Sequence, residues 1–167
     1  MTDVTSEPSC TTTIPAPRSE LARVRLTGQV ERLASFTVAE LRDLPQRTVE
    51  TEFLCAREGR RRHTFTGPLL IDLVSAAGPR FDPMITKDRV RFLLAVRGAD
   101  GHTTVLSWGE IDPRYGRTEA MLATAMDGRT LDADGPHLAV PGDVAGGRYV
   151  SRVTGIWVGA ADALTAT

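Results

Sequence analysis

Cys55 is the residue in this sequence with the widest chemical range, and cations crowd the stretch that follows it: Arg57, Arg60, Arg61 and Arg62. Positive charge beside a thiol favours the thiolate, the form that ligates metals and attacks electrophiles. Both features also have plainer readings. Free cysteine is among the most buried residue types, and a short run of arginines is commonly a solvated loop. The three histidines, His63, His102 and His137, do not fall at metal-ligand spacing. His102 sits at an expected hairpin and reads as a surface residue. Asp72 and Glu110 are carboxylates that nothing in the sequence brings together, and Trp108 and Trp157 read as core or pocket wall.

The elements that must position these residues can be read from periodicity. Val24 and Leu26 alternate with Arg23 and Arg25 ahead of a turn at Gly28, which predicts a strand in a fold beginning near Leu21. Thr37 and Glu40 have capping-box spacing for a short helix through Val38, Leu41 and Leu44, stopped by Pro45. Val49, Thr51, Phe53 and Cys55 share one face of a strand over 48–55, with Glu50 and Glu52 on the other. The run from Cys55 to Arg62 predicts a basic loop. Gly67-Pro68 then opens a second helix carrying Leu69, Leu70, Leu73, Val74 and Ala77, closed by Gly78-Pro79. Val90 to Val96 predicts a buried strand paired through Ala99-Asp100-Gly101 with His102 to Trp108. Further strands are expected at Met121 to Met126, Leu138 to Val140 and Tyr149 to Val158. The Asp-Gly pairs read as turn chemistry alone. Two short helices among many strands give an α+β domain dominated by mixed sheet.

The totals narrow the classes of function. The chain has 167 residues, enough for one domain with its own core. A formal net charge of −1 supplies no field for nucleic acid or an anionic membrane, and the arginine cluster lacks interleaved aromatics. Residues 1–20, rich in Thr, Ser and Pro, read as a disordered tail ahead of one domain over 21–161. Cys10 and Cys55 show no disulfide pattern, Met1 to Pro17 carry no secretory signal, and no run is long enough to span a membrane. A cytoplasmic protein is expected.

Four segments, in order, carry a resemblance. They are Phe53-Leu-Cys55; Gly67-Pro-Leu-Leu-Ile-Asp-Leu-Val74; Met121-Leu-Ala-Thr-Ala-Met-Asp-Gly128; and His137-Leu-Ala-Val-Pro-Gly142 with Gly146-Gly-Arg-Tyr-Val150. Together they resemble the molybdopterin-binding domain of the sulfite-oxidase family, above all its small single-domain bacterial members, over roughly Gly28 to Val158. The resemblance implies that family's fold, and molybdenum bound through the cofactor's dithiolene and the Cys55 thiolate. It implies a cofactor phosphate held by arginine forks and close backbone, with Arg57, Arg61, Gly147, Arg148, Ser151 and Arg152 as the candidates. Substrate would enter beside Thr124 and His137. Four positions depart from the family pattern: Thr124 replaces a tyrosine, His137 an arginine, Ser151 a lysine and Phe65 a tryptophan.

Three functions follow. The first is a molybdopterin-dependent oxidoreductase that transfers an oxygen atom or two electrons on a small substrate. It would need a separate electron-transfer partner, because the chain has no haem or iron–sulfur motif. The second keeps the fold without the cofactor, leaving a largely apolar pocket for an organic substrate, as in a biosynthetic tailoring cyclase or isomerase. His137, Thr124 and Cys55 would be its polar groups. The third is a non-enzymatic binding module, for which no particular residue argues.

Overall fold

The computed structural model describes residues 23–164. The expected tail, the start near Leu21 and Cys10 lie outside them. The architecture is the expected α+β type: sheet dominates, with three short α-helices and three single-turn 3-10 segments among the described residues.

The largest sheet is mixed. Strand β1 (Arg23–Gly28) buries Val24 and Leu26 and exposes its arginines, as its alternation requires. It pairs in parallel with β11 (Val153–Ala160) and antiparallel with β2 (Ala34–Thr37). On the other side of β11 lie β5 (Phe92–Gly98) and then β6 (Thr103–Ser107), both antiparallel. Helix α1 (Val38–Arg42) leaves β2 through the reciprocal Thr37–Glu40 cap. A second sheet, all antiparallel, runs β3 (Arg47–Cys55), β4 (Gly59–Gly67), β8 (Ala125–Met126), β9 (Arg129–Thr130).

Between the sheets lies a two-stranded ribbon of β7 (Met121–Ala123) and β10 (His137–Ala139). Side chains alternate across a strand, so a ribbon covered on both faces divides the interior. Leu122 and Leu138 join the core under the five-stranded sheet, together with Leu70, Leu73 and Val74 of helix α2 (Leu70–Ala76). Met121, Ala123 and Ala139 join Phe65 and Leu131 under the second sheet. The ribbon presses closely on β4: a Cβ on Gly67 would lie 2.3 Å from the Leu122 carbonyl oxygen.

Four expectations need correcting. The stretch after Cys55 is a loop only over residues 56–58, because Gly59 already begins β4. Arg62 stands opposite Glu52 in register, and Arg60 and Arg62 both pair with that carboxylate, so cations are stable on this strand. Val90 is exposed in a 3-10 turn over Asp88–Arg91, which Asp88 organises by accepting from the Asp82 amide and the Arg91 guanidinium. The final strand starts at Val153 rather than Tyr149, after a 3-10 turn at Gly146–Arg148 and a left-handed residue, Arg152, at φ 53°. Trp108 ends no strand; it opens helix α3 (Trp108–Ile111), capped reciprocally by Ser107 and Glu110.

The ribbon's double burial has a measurable consequence. Leu122→Ala, at a fully buried position, is expected to cost about 2–5 kcal/mol in urea unfolding. Val105→Ala, on the exposed face of β6, should change stability by no more than about 0.5 kcal/mol. Equal effects would contradict this core.

Candidate functional site

The inner face of β3 does what its alternation predicts. Thr51 is buried, and Val49, Phe53 and Cys55 are half-buried. Next to Phe53 the chain from Val140 to Ser151 folds back across the sheet edge. The Leu54 amide donates to the Val144 carbonyl at 2.8 Å, and Leu138 and Val150 exchange backbone bonds of 2.8 and 3.2 Å. Gly146 is needed here, because a Cβ would lie 2.7 Å from the Phe53 ring.

These contacts shape a half-open cavity of about 200 Å³ beneath the β3–β4 hairpin. Phe53, Phe65, Met126 and Tyr149 form its apolar walls, while His63, His137 and Ser151 bring polar atoms. Phe53 and Tyr149 stack with centroids 4.1 Å apart; Phe65 lies 5.9 Å from Tyr149, and His63 lies 5.8 Å from Phe65 and 6.1 Å from Phe53. Two polar atoms, His137 Nε2 and the Tyr149 hydroxyl, are buried without a hydrogen bond among the described residues. Thr51, the hydroxyl beside Tyr149, is directed at the His63 carbonyl 3.4 Å away. Burial is the main cause that lowers the His137 pKa and raises that of Tyr149, so the imidazole is held neutral and the phenol protonated.

The expected site residues separate into groups. Cys55 ends β3 opposite Gly59, its thiol free. Arg57 is exposed in the turn that follows. Arg61 is paired with Glu58. Arg148 donates to both Asp143 oxygens at 2.7 and 2.9 Å and to Glu110 at 3.1 Å. Those carboxylates, Asp143 first, raise its pKa further above the usual arginine range. Gly147 is exposed, and its carbonyl accepts from His102 Nε2 at 3.0 Å, so His102 ties a hairpin to the site loop. His137 and Ser151 meet at the cavity, and Arg152 follows on the surface. Thr124 is buried but does not line the cavity; its hydroxyl faces Gln46 Oε1 and the Thr66 carbonyl, both at 3.2 Å. Asp72 and Glu110 serve separate places: Glu110 caps α3 and holds Arg148, and Asp72 lines a groove of about 620 Å³ beside α2.

Two residues that line the cavity, Tyr149 and His63, and one that holds His63, Asp127, have no functional signal in the sequence. Tyr149 was read as part of a strand, His63 only as an isolated histidine, and Asp127 only as a turn residue. Asp127 does occupy a left-handed turn position at φ 52°. Its carboxylate also accepts from the Thr64 amide at 2.9 Å and bonds His63 Nδ1 at 2.7 Å. The pairing of β4 with β8 creates that contact across 64 positions of sequence, and no local motif announces it.

Molybdopterin brings a dithiolene and a phosphate, so its site needs a thiolate within reach and cations free to receive a dianion. Cys55 meets the first need in kind, being a half-buried free thiol at a strand end. The second need is not met. Arg61 and Arg148 already face carboxylates, as do Arg60 and Arg62. The cleft of about 270 Å³ beside Leu54 carries Glu52 and Asp143 against Arg60 alone, a net negative lining. Arg57 and Arg152 have no carboxylate partner among the described residues, but they stand on separate elements. Ser151 offers no charge. As folded, the residues around Cys55 do not fit a phosphate-bearing pterin.

The depressed His137 pKa makes stability depend on pH. The unfolded chain takes up a proton near pH 6.5, while the folded chain resists it until the pH is lower. Stability from this residue is therefore complete above that value and is lost as pH falls below it. His137→Gln should flatten the loss of unfolding free energy as the pH falls below about 6.5; identical slopes in the two proteins would contradict the assignment.

Comparison with known proteins agrees with this architecture. The sequence model of the oxidoreductase molybdopterin binding domain matches residues 12–166. Among solved structures, the sulfane dehydrogenase SoxCD from Paracoccus pantotrophus superposes with a TM-score of 0.66 at 21% identity, covering 89% of this chain and 41% of that one. The present chain thus spans less than half of that protein's length, and at this identity the likeness is one of fold. No curated protein matches, and no helix among the described residues is long and apolar enough to cross a membrane. With a match over nearly its whole length, and the sheet-rich architecture to accompany it, the chain belongs to the oxidoreductase molybdopterin binding domain family.

Proposed function

We propose that this chain is a cofactor-independent enzyme on the molybdopterin-binding fold, acting on a small uncharged organic molecule in the cavity bounded by Phe53, Phe65, His137 and Tyr149. One observation carries the reading: among the described residues His137 Nε2 is buried without a hydrogen bond, and the buried Tyr149 hydroxyl has only the Thr51 hydroxyl near it, both against aromatic walls. A buried polar group without a partner costs about 1–3 kcal/mol. A ligand that bonds these atoms relieves that cost, while its apolar surface is taken up by the rings. A neutral imidazole and a protonated phenol are also the forms that exchange hydrogen bonds, and protons, with an uncharged substrate.

The family's own chemistry is the second reading, favoured by the half-buried free thiol of Cys55 and by Arg57 beside it, with no carboxylate partner among the described residues. There the bound cofactor supplies oxygen-atom or two-electron transfer, and a separate protein carries the electrons. This reading requires the phosphate to take Arg148 from Asp143 and Glu110, or to do without it.

Elemental analysis separates the two. The proposal expects protein purified from a host that makes the molybdenum cofactor to contain no stoichiometric molybdenum, and Cys55→Ser to leave the metal content unchanged. Stoichiometric molybdenum that disappears in Cys55→Ser would establish the second reading and end the first.

A further inference from the structure

We infer that His63, held by Asp127, is the general base of this cavity, and that the substrate class is a planar, uncharged carbonyl compound that loses and regains a proton at a carbon beside the carbonyl. The inference rests on the cofactor-free reading of the cavity and adds a reaction to it.

The argument begins with a tautomer. A carboxylate cannot donate, so the 2.7 Å contact between His63 Nδ1 and Asp127 Oδ2 requires the proton to sit on Nδ1. The Asp127 carboxyl is held below its usual pKa, first by the Thr64 amide and then by His63, so it is ionised when it accepts. In the neutral form of the ring the lone pair is then on His63 Nε2, and that ring lines the cavity. An imidazole oriented by an anion in this way is a base whose protonated form is stabilised in place. His63 and Tyr149 line the same cavity, and the rings of Phe53 and Phe65 neighbour each of them, so the base and the phenol face one space.

In the reaction, His63 Nε2 removes a proton from the carbon next to the carbonyl. The C–H electron pair forms a C=C bond, and the C=O π pair moves to oxygen. That oxygen accepts a hydrogen bond from the Tyr149 hydroxyl. Return of the proton from His63, to the same carbon or to a conjugated one, restores the base and gives exchange or isomerisation. No electrons leave the system and no co-reactant is needed. His63 and Tyr149 are the catalytic residues, whereas Asp127 is a positioning residue.

The probe is 2-indanone in deuterated buffer, with deuterium uptake beside the carbonyl followed by proton NMR. Calorimetric binding of 2-naphthol, a planar phenol resembling the enol, is measured in parallel. Wild-type protein is expected to accelerate uptake above buffer, and His63→Gln to reduce that acceleration by about a hundredfold or more. Asp127→Asn keeps the Thr64 contact and a side chain suited to a left-handed turn. It should lower kcat by about tenfold or more while KM and naphthol binding hold. A purely structural tie would lower the melting temperature instead and leave kcat unchanged. If wild-type protein binds naphthol but gives no acceleration, or if His63→Gln matches it, the base assignment is overturned and the cavity reading stands. If naphthol does not bind and molybdenum is found, both fall.

Discussion

Arg148 is the fixed point of the site. Its guanidinium grips both oxygens of Asp143, five residues back, and reaches Glu110 at the N-terminal cap of helix α3. All three side chains are partly shielded, Arg148 at 34%, Asp143 at 18% and Glu110 at 28% exposure, so solvent screens them less than a surface pair. The clamp pins the loop after Val140-Pro141-Gly142 to the five-stranded sheet's end of the molecule. Gly146 then meets Phe53, Tyr149 stacks on the same ring, and Ser151 reaches the cavity wall. The clamp also occupies the guanidinium that the family resemblance offers to a cofactor phosphate. One interaction therefore shapes the cavity and disfavours the family's cofactor.

The cavity follows from a second constraint, the ribbon of β7 and β10. Because the ribbon is buried on both faces, His137 at its end points toward the second sheet's core rather than to solvent, and burial keeps it neutral. The hairpin of β3 and β4 closes the other side with Phe53 and Phe65, and its far strand carries His63 to Asp127. The result is a pocket with aromatic walls, lined also by His63, His137 and the Tyr149 phenol. A site that binds by displacing no charge suits an uncharged molecule, since a dianion would have to break existing ion pairs to enter.

What could be read in the sequence was what depends on near neighbours. The alternation of Val49, Thr51, Phe53 and Cys55 identified β3 and its inner face, and Thr37 with Glu40 marked the start of α1. The same capping spacing at Ser107 and Glu110 was obscured because Trp108 continues the apolar alternation of β6. Strand β4 was hidden by its arginines, which are stable there only because Glu52 lies across the ladder. The family was legible because four ordered segments survive. The candidate site was legible in part: His137 and Ser151 were brought together, whereas His63, Asp127 and Tyr149 became visible only through strand pairing. The resemblance assigned Arg148 to the cofactor phosphate, and the sequence does not reveal that Asp143 and Glu110 hold it.

The role of Arg148 is the most direct test of this account. Arg148→Ala and the parent chain, both made in a host without the molybdenum cofactor, should be compared by urea unfolding. Removing a charge-assisted clamp that leaves Asp143 and Glu110 without their partner should cost about 1.5–3 kcal/mol. If Arg148 were instead reserved for a cofactor phosphate, its loss in cofactor-free protein would change stability by less than about 0.5 kcal/mol, and that result would contradict the account.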